Sequence, residues 1–231
     1  MALRFLRSLA FNLVMFSAGL VLSLWGTAVR VAAPQRLTSV AQLWARICLA
    51  ALRRCCGIEI RVEGLENLPS GGAIIAAQHQ SALDILVWLV ALPYPALVFK
   101  KELRKIPVFG PLLVPTGMIP VDRSGAAPAL RKLLQDCRAA AAAGRQVVIF
   151  PEGTRVAPGA RVELQPGIVA LAKSAGVPVL PAITDSGYCW RPRAFAKTPG
   201  TVTMRLLPPL PAGLTRENII AELTTVYYGT S

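Results

Sequence analysis

No charged residue occurs between Ser8 and Val29, and this run, SLAFNLVMFSAGLVLSLWGTAV, limits the possible folds more than any other feature of the chain. As a helix it is long enough to cross a hydrocarbon core about 30 Å thick. Arg4 and Arg7 precede it and Arg30 and Arg36 follow it, so flanking charge does not set an orientation. A cleaved secretion signal is the competing reading. Against it, the apolar core of such a signal normally spans only about 7–15 residues. The run is therefore expected to be a retained membrane helix.

A second segment, Leu37 to Cys56, carries Val40, Leu43, Trp44, Ile47 and Ala51 at helical spacing, with Arg46, Arg53 and Arg54 among them. Two readings stand open. The helix could lie in the membrane interface with its arginine heads reaching the headgroups, or it could pack on a globular domain. Residues 1–56 are thus expected to form an N-terminal membrane-anchoring helical segment.

From residue 57 to residue 231 the pattern changes. IEIRVEG alternates as a strand does, and GGAIIAA, ALVFK, VVIF and VPVLPAI are short buried runs. Helical stretches separate them: SALDILVWLVAL, a segment with Ala129, Leu130, Leu133 and Leu134 that runs to Gly144, and GIVALAKSAG. TVTMRLL alternates again, and ENIIAELTTVYY closes the chain as a helix. Strands separated by helices predict an α/β domain with a largely parallel sheet flanked by helices, preceded by the N-terminal membrane-associated helices.

Composition narrows the partners. Only 16% of residues are charged, against about 25% in a typical soluble domain. Those charges are lopsided, 25 Lys+Arg to 12 Asp+Glu, a net charge of +13. Apolar character joined to basicity points to an anionic membrane lipid surface. No aromatic RNA-binding motif, zinc-finger spacing or long Lys/Arg run supports nucleic acid as a partner. The cysteines, Cys48, Cys55, Cys56, Cys137 and Cys189, are odd in number and form no C-x-x-C pair, which argues against a disulfide framework and a structural zinc site. A single histidine excludes the common two- and three-His metal sites, and no metal is expected.

That histidine, His79, sits between the buried run AIIAAQ and the helical SALDILVW, at a strand exit of the kind where α/β sheets carry out their chemistry. Asp84 follows it by five residues. A carboxylate beside an imidazole fixes the tautomer and stabilises the imidazolium formed during proton abstraction. On one continuous helix the two side chains would point about 140° apart, so the pair works only if the chain turns into the helix between them. Ser81 and Asp84 also fit a helix-capping box, and Asp84 could serve as a cap alone. Phe150-Pro151-Glu152-Gly153-Thr154-Arg155 leaves the strand VVIF directly. Glu152, Thr154 and Arg155 offer an acceptor, a hydroxyl and a bidentate cation, and Gly153 permits close backbone approach. A polar surface loop would look the same. Lys100, Lys101, Arg104, Lys105 and Arg123 could bind phosphate or form a solvated basic face.

The joint occurrence of these blocks, in order, resembles the glycerolipid acyltransferase family, and within it the 1-acyl-sn-glycerol-3-phosphate acyltransferases. The matching blocks are H-x-x-x-x-D (His79 to Asp84); K-E-L…G…G-x-I-x-x-D-R (Lys101, Glu102, Leu103, Gly110, Gly117, Ile119, Asp122, Arg123); FPEGTR (Phe150 to Arg155); and V-P-x-x-P (Val177 to Pro181). The resemblance runs from about Glu63 to Leu210. The string SGYCWRPRAF also looks like bacterial members. One departure is Leu164-Gln165-Pro166-Gly167, where many members carry F-K-x-G.

The resemblance implies that His79 is the general base and Asp84 its partner. It implies that Arg123 and Lys101 hold an acceptor phosphate, that Glu152, Gly153, Thr154 and Arg155 line the substrate, and that the proline strand shapes the acyl site. The implied reaction moves an acyl chain from acyl-CoA or acyl carrier protein to the sn-2 hydroxyl of lysophosphatidic acid. It needs no cofactor beyond that thioester co-substrate. Another lyso-lipid acceptor, such as a lyso-ornithine lipid, is the alternative within the family. The expected location is a bacterial inner membrane, with the catalytic domain at its cytoplasmic face.

Overall fold

The computed structural model describes residues 2–123 and 126–229. Two helices, α1 (Ala2–Ala32) and α2 (Leu37–Ala51), precede the sheet, and α2 runs on into a π-helical turn, Leu52–Cys56. Seven strands follow: β1 (Ile58–Glu63), β2 (Ala73–Ala77), β3 (Pro95–Lys100), β4 (Ile119–Val121), β5 (Gln146–Ile149), β6 (Val179–Thr184) and β7 (Gly200–Leu206). The longer helices among them are α3 (Leu83–Ala91), α5 (Ala126–Ala142), α6 (Gly167–Ser174) and α8 (Arg216–Tyr228). Two single turns, α4 (Gly110–Leu113) and α7 (Ser186–Cys189), complete the set.

The strands form one sheet in the order β1-β7-β6-β2-β5-β3-β4. Neighbours pair parallel except β6 with β7. The carboxyl ends of β2, β3, β4, β5 and β6 therefore share one edge. β2 and β5 are buried along their whole length, as expected of strands covered on both faces. Side-chain alternation divides the core. Ala73, Ile75 and Ala77 of β2 face a cluster with Phe11, Cys48, Leu52 and Trp88 from α1, α2 and α3. Ile74 and Ala76 face the other cluster, with Leu133, Ile168 and Leu223 from α5, α6 and α8.

The N-terminal helices belong to the first of these layers. Along α1 the buried residues are Ser8, Phe11, Ser23 and Gly26, and Gly19 meets the Trp44 ring where a Cβ would stand 3.2 Å from Nε1. Small residues on this face let the helices approach closely. Both ends of α1 are tied to the domain: Arg4 Nε donates to Lys197 O at 3.0 Å, and Arg30 Nη1 donates to Pro111 O at 3.5 Å. Helix α2 packs between α1 and α3. Its buried residues are Leu37, Val40, Ala45, Cys48 and Ala51; of the stripe expected from the sequence, Val40 and Ala51 are buried, Trp44 and Ile47 half-buried and Leu43 exposed. The shift arises because α2 is covered on two sides, by α1 and α3. Arg46, Arg53 and Arg54 stay exposed, so inward packing and an outward basic face coexist on one helix.

Candidate active site

The chain leaves β2 at Ala77 and does not become helical until Leu83. In that interval it turns, and His79 Nδ1 comes to lie 2.9 Å from Asp84 Oδ2. The same oxygen accepts the Gln80 and Ser81 backbone N–H groups at 2.8 and 2.9 Å, while Ser81 Oγ accepts Leu83 N–H at 3.1 Å. Ser81 thus bonds the first helical N–H, while Asp84 both braces the preceding turn and partners the histidine. Its other oxygen, Oδ1, accepts the Ser186 hydroxyl at 2.5 Å and the Thr184 hydroxyl at 3.4 Å. Asp84 is fully buried. Surrounded by donors, its carboxylate needs no second cation. It accepts a hydrogen bond from Nδ1–H, the tautomer that leaves the His79 Nε2 lone pair free, as a general base requires.

The FPEGTR block holds the histidine from the adjacent strand. Phe150 stacks on the His79 ring with centroids 4.0 Å apart. The His79 backbone N–H donates to Glu152 Oε2 at 2.5 Å, and Val156 N–H donates to His79 O at 2.8 Å. Both backbone polar groups of His79 are therefore engaged by this one loop. Gly153 makes the turn at φ 69°, a left-handed conformation that glycine adopts without penalty. Glu152 is buried and its remaining oxygen, Oε1, accepts the Tyr228 hydroxyl at 2.7 Å. Burial pushes the Glu152 carboxyl up to about 7, against the pull of its two hydrogen-bond donors. Among the expected substrate-binding residues, then, Glu152 is engaged within the protein, whereas Thr154 and Arg155 are exposed. Gln165, standing where a lysine is common in the family, donates its backbone N–H to Pro151 O at 2.7 Å and packs against Gly153.

The basic block reaches the same edge through β3 and β4. Lys101 follows β3 and pairs with Asp122, which follows β4. Arg123 is exposed beside them. Strands lie about 4.8 Å apart, so β3 stands roughly 10 Å from β2 and β4 about one strand further. The V-P-x-x-P block begins on the opposite edge: Val177 and Pro178 precede β6, and Val179, Leu180 and Pro181 lie within it, Pro181 paired with Ala76. The carboxyl end of β6 delivers Thr184 and Ser186 to Asp84.

An apolar cleft lies in the first helical layer. This cleft, of about 250 Å³ between α1, α2, α3 and β3, includes in its lining Ala82, three residues past His79. Met15, Trp44, Leu86, Phe99 and Leu113 are among its lining residues, and almost all of its surface is apolar. On the α8 side of the sheet a second pocket of about 640 Å³, of mixed polar and apolar surface, has Gln78, Gln80, Arg161, Arg205 and Tyr228 in its lining. The motifs did not single out Thr184 or Tyr228. Ser186 opens the family-like string SGYCWRPRAF, so a signal for it existed in the sequence.

Residues 59–185 match the family model described as Acyltransferase. The chain is 34% identical over 223 residues to the 1-acyl-sn-glycerol-3-phosphate acyltransferase of Pseudomonas aeruginosa, an alignment covering 94% of this chain and 86% of that one. It is 31% identical over 182 residues to the human 1-acyl-sn-glycerol-3-phosphate acyltransferase alpha, covering 76% of this chain and 64% of the relative. The crystal structure of the 1-acyl-sn-glycerophosphate acyltransferase of Thermotoga maritima superposes with a TM-score of 0.79 at 25% identity, covering 97% of this chain and 95% of that one.

Proposed function

The chain belongs to the acyltransferase family, and from that premise we propose that it moves a fatty-acyl chain from a thioester to the sn-2 hydroxyl of lysophosphatidic acid, giving phosphatidic acid. The observation that carries the reading is the His79–Asp84 pair, 2.9 Å apart, with an apolar cleft lined by Ala82, Ile85 and Leu86 around the same turn of α3. The acceptor hydroxyl gives its proton to His79 Nε2 as its oxygen attacks the thioester carbon. Asp84, held by five donors in all, stabilises the imidazolium without moving. Collapse of the tetrahedral intermediate breaks the C–S bond, and the leaving thiolate takes the proton back. The enzyme itself need not be acylated.

The apolar cleft suits an acyl chain, and the basic group of Lys101, Arg123 and Arg155 on the carboxyl edge suits the acceptor's phosphate. The donor is acyl-CoA or acyl carrier protein. The acidic surface of a carrier protein would be attracted to a chain of net charge +13.

Membrane association follows from α1. Leu6, Leu9, Leu13, Phe16, Leu20 and Leu24 form an exposed apolar stripe along it, with Phe16 70% exposed. Such a stripe marks a lipid-facing surface. Because both ends of α1 are bonded to the domain, the helix is read as lying in the plane of one leaflet rather than crossing the bilayer, with exposed arginines at the headgroups. The leaflet assigned is the cytoplasmic one of a bacterial inner membrane. The test is an assay of purified enzyme with several lyso-lipids and both thioester classes. Formation of phosphatidic acid from lysophosphatidic acid supports the reading. Turnover with a lyso-ornithine lipid alone would replace the acceptor.

A further inference from the structure

The last turn of the chain reaches the catalytic loop. Tyr227 is buried, and its hydroxyl donates to Ala76 O at 2.7 Å while its carbonyl accepts Gln78 Nε2 at 3.2 Å. Helix α8 is thereby fixed against the end of β2. The next residue, Tyr228, donates its hydroxyl to Glu152 Oε1 at 2.7 Å, and Arg161 Nη2 donates to Tyr228 O at 2.8 Å. Glu152 Oε2 in turn accepts the His79 N–H. We propose that Tyr228 is a positioning residue for the base: its hydroxyl orients the Glu152 carboxylate, which fixes the His79 peptide and so holds the imidazole in register with Asp84. The inference rests on the acyl-transfer reading above and assigns a role in it to a residue beyond the four motif blocks.

The physical reason lies in what Glu152 would do without that hydroxyl. The groups that face it are His79 and Asp84 from the β2–α3 loop and Tyr227 and Tyr228 from α8, with Arg161 holding Tyr228 in place. Burial raises its pKa most, and Asp84 raises it further; the His79 N–H and the Tyr228 hydroxyl lower it. Removing the hydroxyl leaves a buried carboxylate oxygen without a donor. The carboxyl then rotates or binds a proton at neutral pH, and either change weakens its hold on the His79 N–H. A 1 Å misplacement of a catalytic group can cost about 10²-fold in rate, so a partial loosening is expected to cost roughly 10-fold.

The experiment uses the full-length protein in detergent or lipid and the conservative variants Tyr228→Phe and Glu152→Gln. His79 is the only histidine, so histidine labelled with ¹⁵N gives one set of ring signals. Tyr228→Phe is expected to shift those signals, lower kcat roughly 10-fold at pH 7 with both KM values unchanged, and move the acid limb of the kcat profile to higher pH. Rate should recover as the pH rises above 7. In a Glu152→Gln background the same tyrosine change should add nothing to either readout. Ring signals and a pH profile like those of wild type would overturn the proposal, as would an equal loss in both backgrounds. If the wild type transfers no acyl chain, the acyl-transfer reading fails, and the ring signals alone still decide whether Tyr228 positions His79.

Discussion

His79 Nδ1 and Asp84 Oδ2 lie 2.9 Å apart although the two residues are five positions apart, a spacing that on a continuous helix would point them about 140° from each other. The turn at Gln80–Ala82 resolves the conflict, and the aspartate, in the first turn of α3, holds that turn by accepting the Gln80 and Ser81 N–H groups. His79→Ala should therefore lower initial acyl transfer by about 10²–10⁴-fold, with an unchanged circular dichroism spectrum. Asp84→Asn should also lose activity, because an amide cannot stabilise imidazolium. A folded His79→Ala protein with near-normal rates would reject the general-base role.

Ser186 is the closest partner of Asp84 Oδ1, at 2.5 Å. Ser186→Ala leaves that buried oxygen with only the longer Thr184 contact. A hydrogen bond to a charged group contributes roughly 1.5–3 kcal/mol, so denaturant unfolding should show a loss in that range, accompanied by slower transfer. Unchanged stability and rate would mean that the serine adds nothing to the aspartate.

Arg123 is exposed at the end of β4, beside a lysine already paired with Asp122. Arg123→Ala should raise the acceptor Michaelis constant by the equivalent of about 1.5–3 kcal/mol and leave the donor constant near its original value. Equal damage to both constants, or none, would count against a phosphate contact.

Lys197 is 2% exposed. Its ammonium donates to Asn12 Oδ1 and Phe195 O at 2.7 and 2.8 Å, and it sits 4.6–5.4 Å from the rings of Phe11, Trp190 and Phe195. Burial pulls its pKa from 10.5 to about 8. Between those values the folded state binds fewer protons than the unfolded state, so the Lys197 contribution to stability rises with pH across that window and is flat below it. The thermal midpoint of wild type minus that of Lys197→Met should increase from pH 8 to pH 10. A difference that stays constant over that range would contradict the assignment.

Phe16 and Leu20 are exposed on the outer face of α1. Phe16→Glu with Leu20→Glu should weaken flotation with anionic vesicles while leaving the thermal midpoint close to wild type, since neither side chain packs in the core. Mass spectrometry of the membrane fraction should find the N-terminus intact. A mature protein beginning near Ala32 would overturn the anchor.

The sequence by itself determined the elements and the chemistry that local patterns encode. Alternation in β1 and β7, short apolar runs in β2, β3, β5 and β6, and helical spacing in α3, α5, α6 and α8 placed these elements close to where they occur, though not β4, α4 or α7, and the order of motif blocks brought out His79, Asp84 and FPEGTR together. It could not decide how Leu37 to Cys56 packs, because a helix covered on two sides by α1 and α3 buries Ala45 and Cys48 outside the stripe that one apolar face would predict. Nor could it join Asp84 to Ser186, or Glu152 to Tyr228, which are separated by 102 and 76 residues. Those contacts exist only because β6 lies beside β2 in the sheet and α8 closes beneath it. Hydrogen bonds depend on position to within a few tenths of an ångström, and only the packed core fixes positions between distant segments that closely.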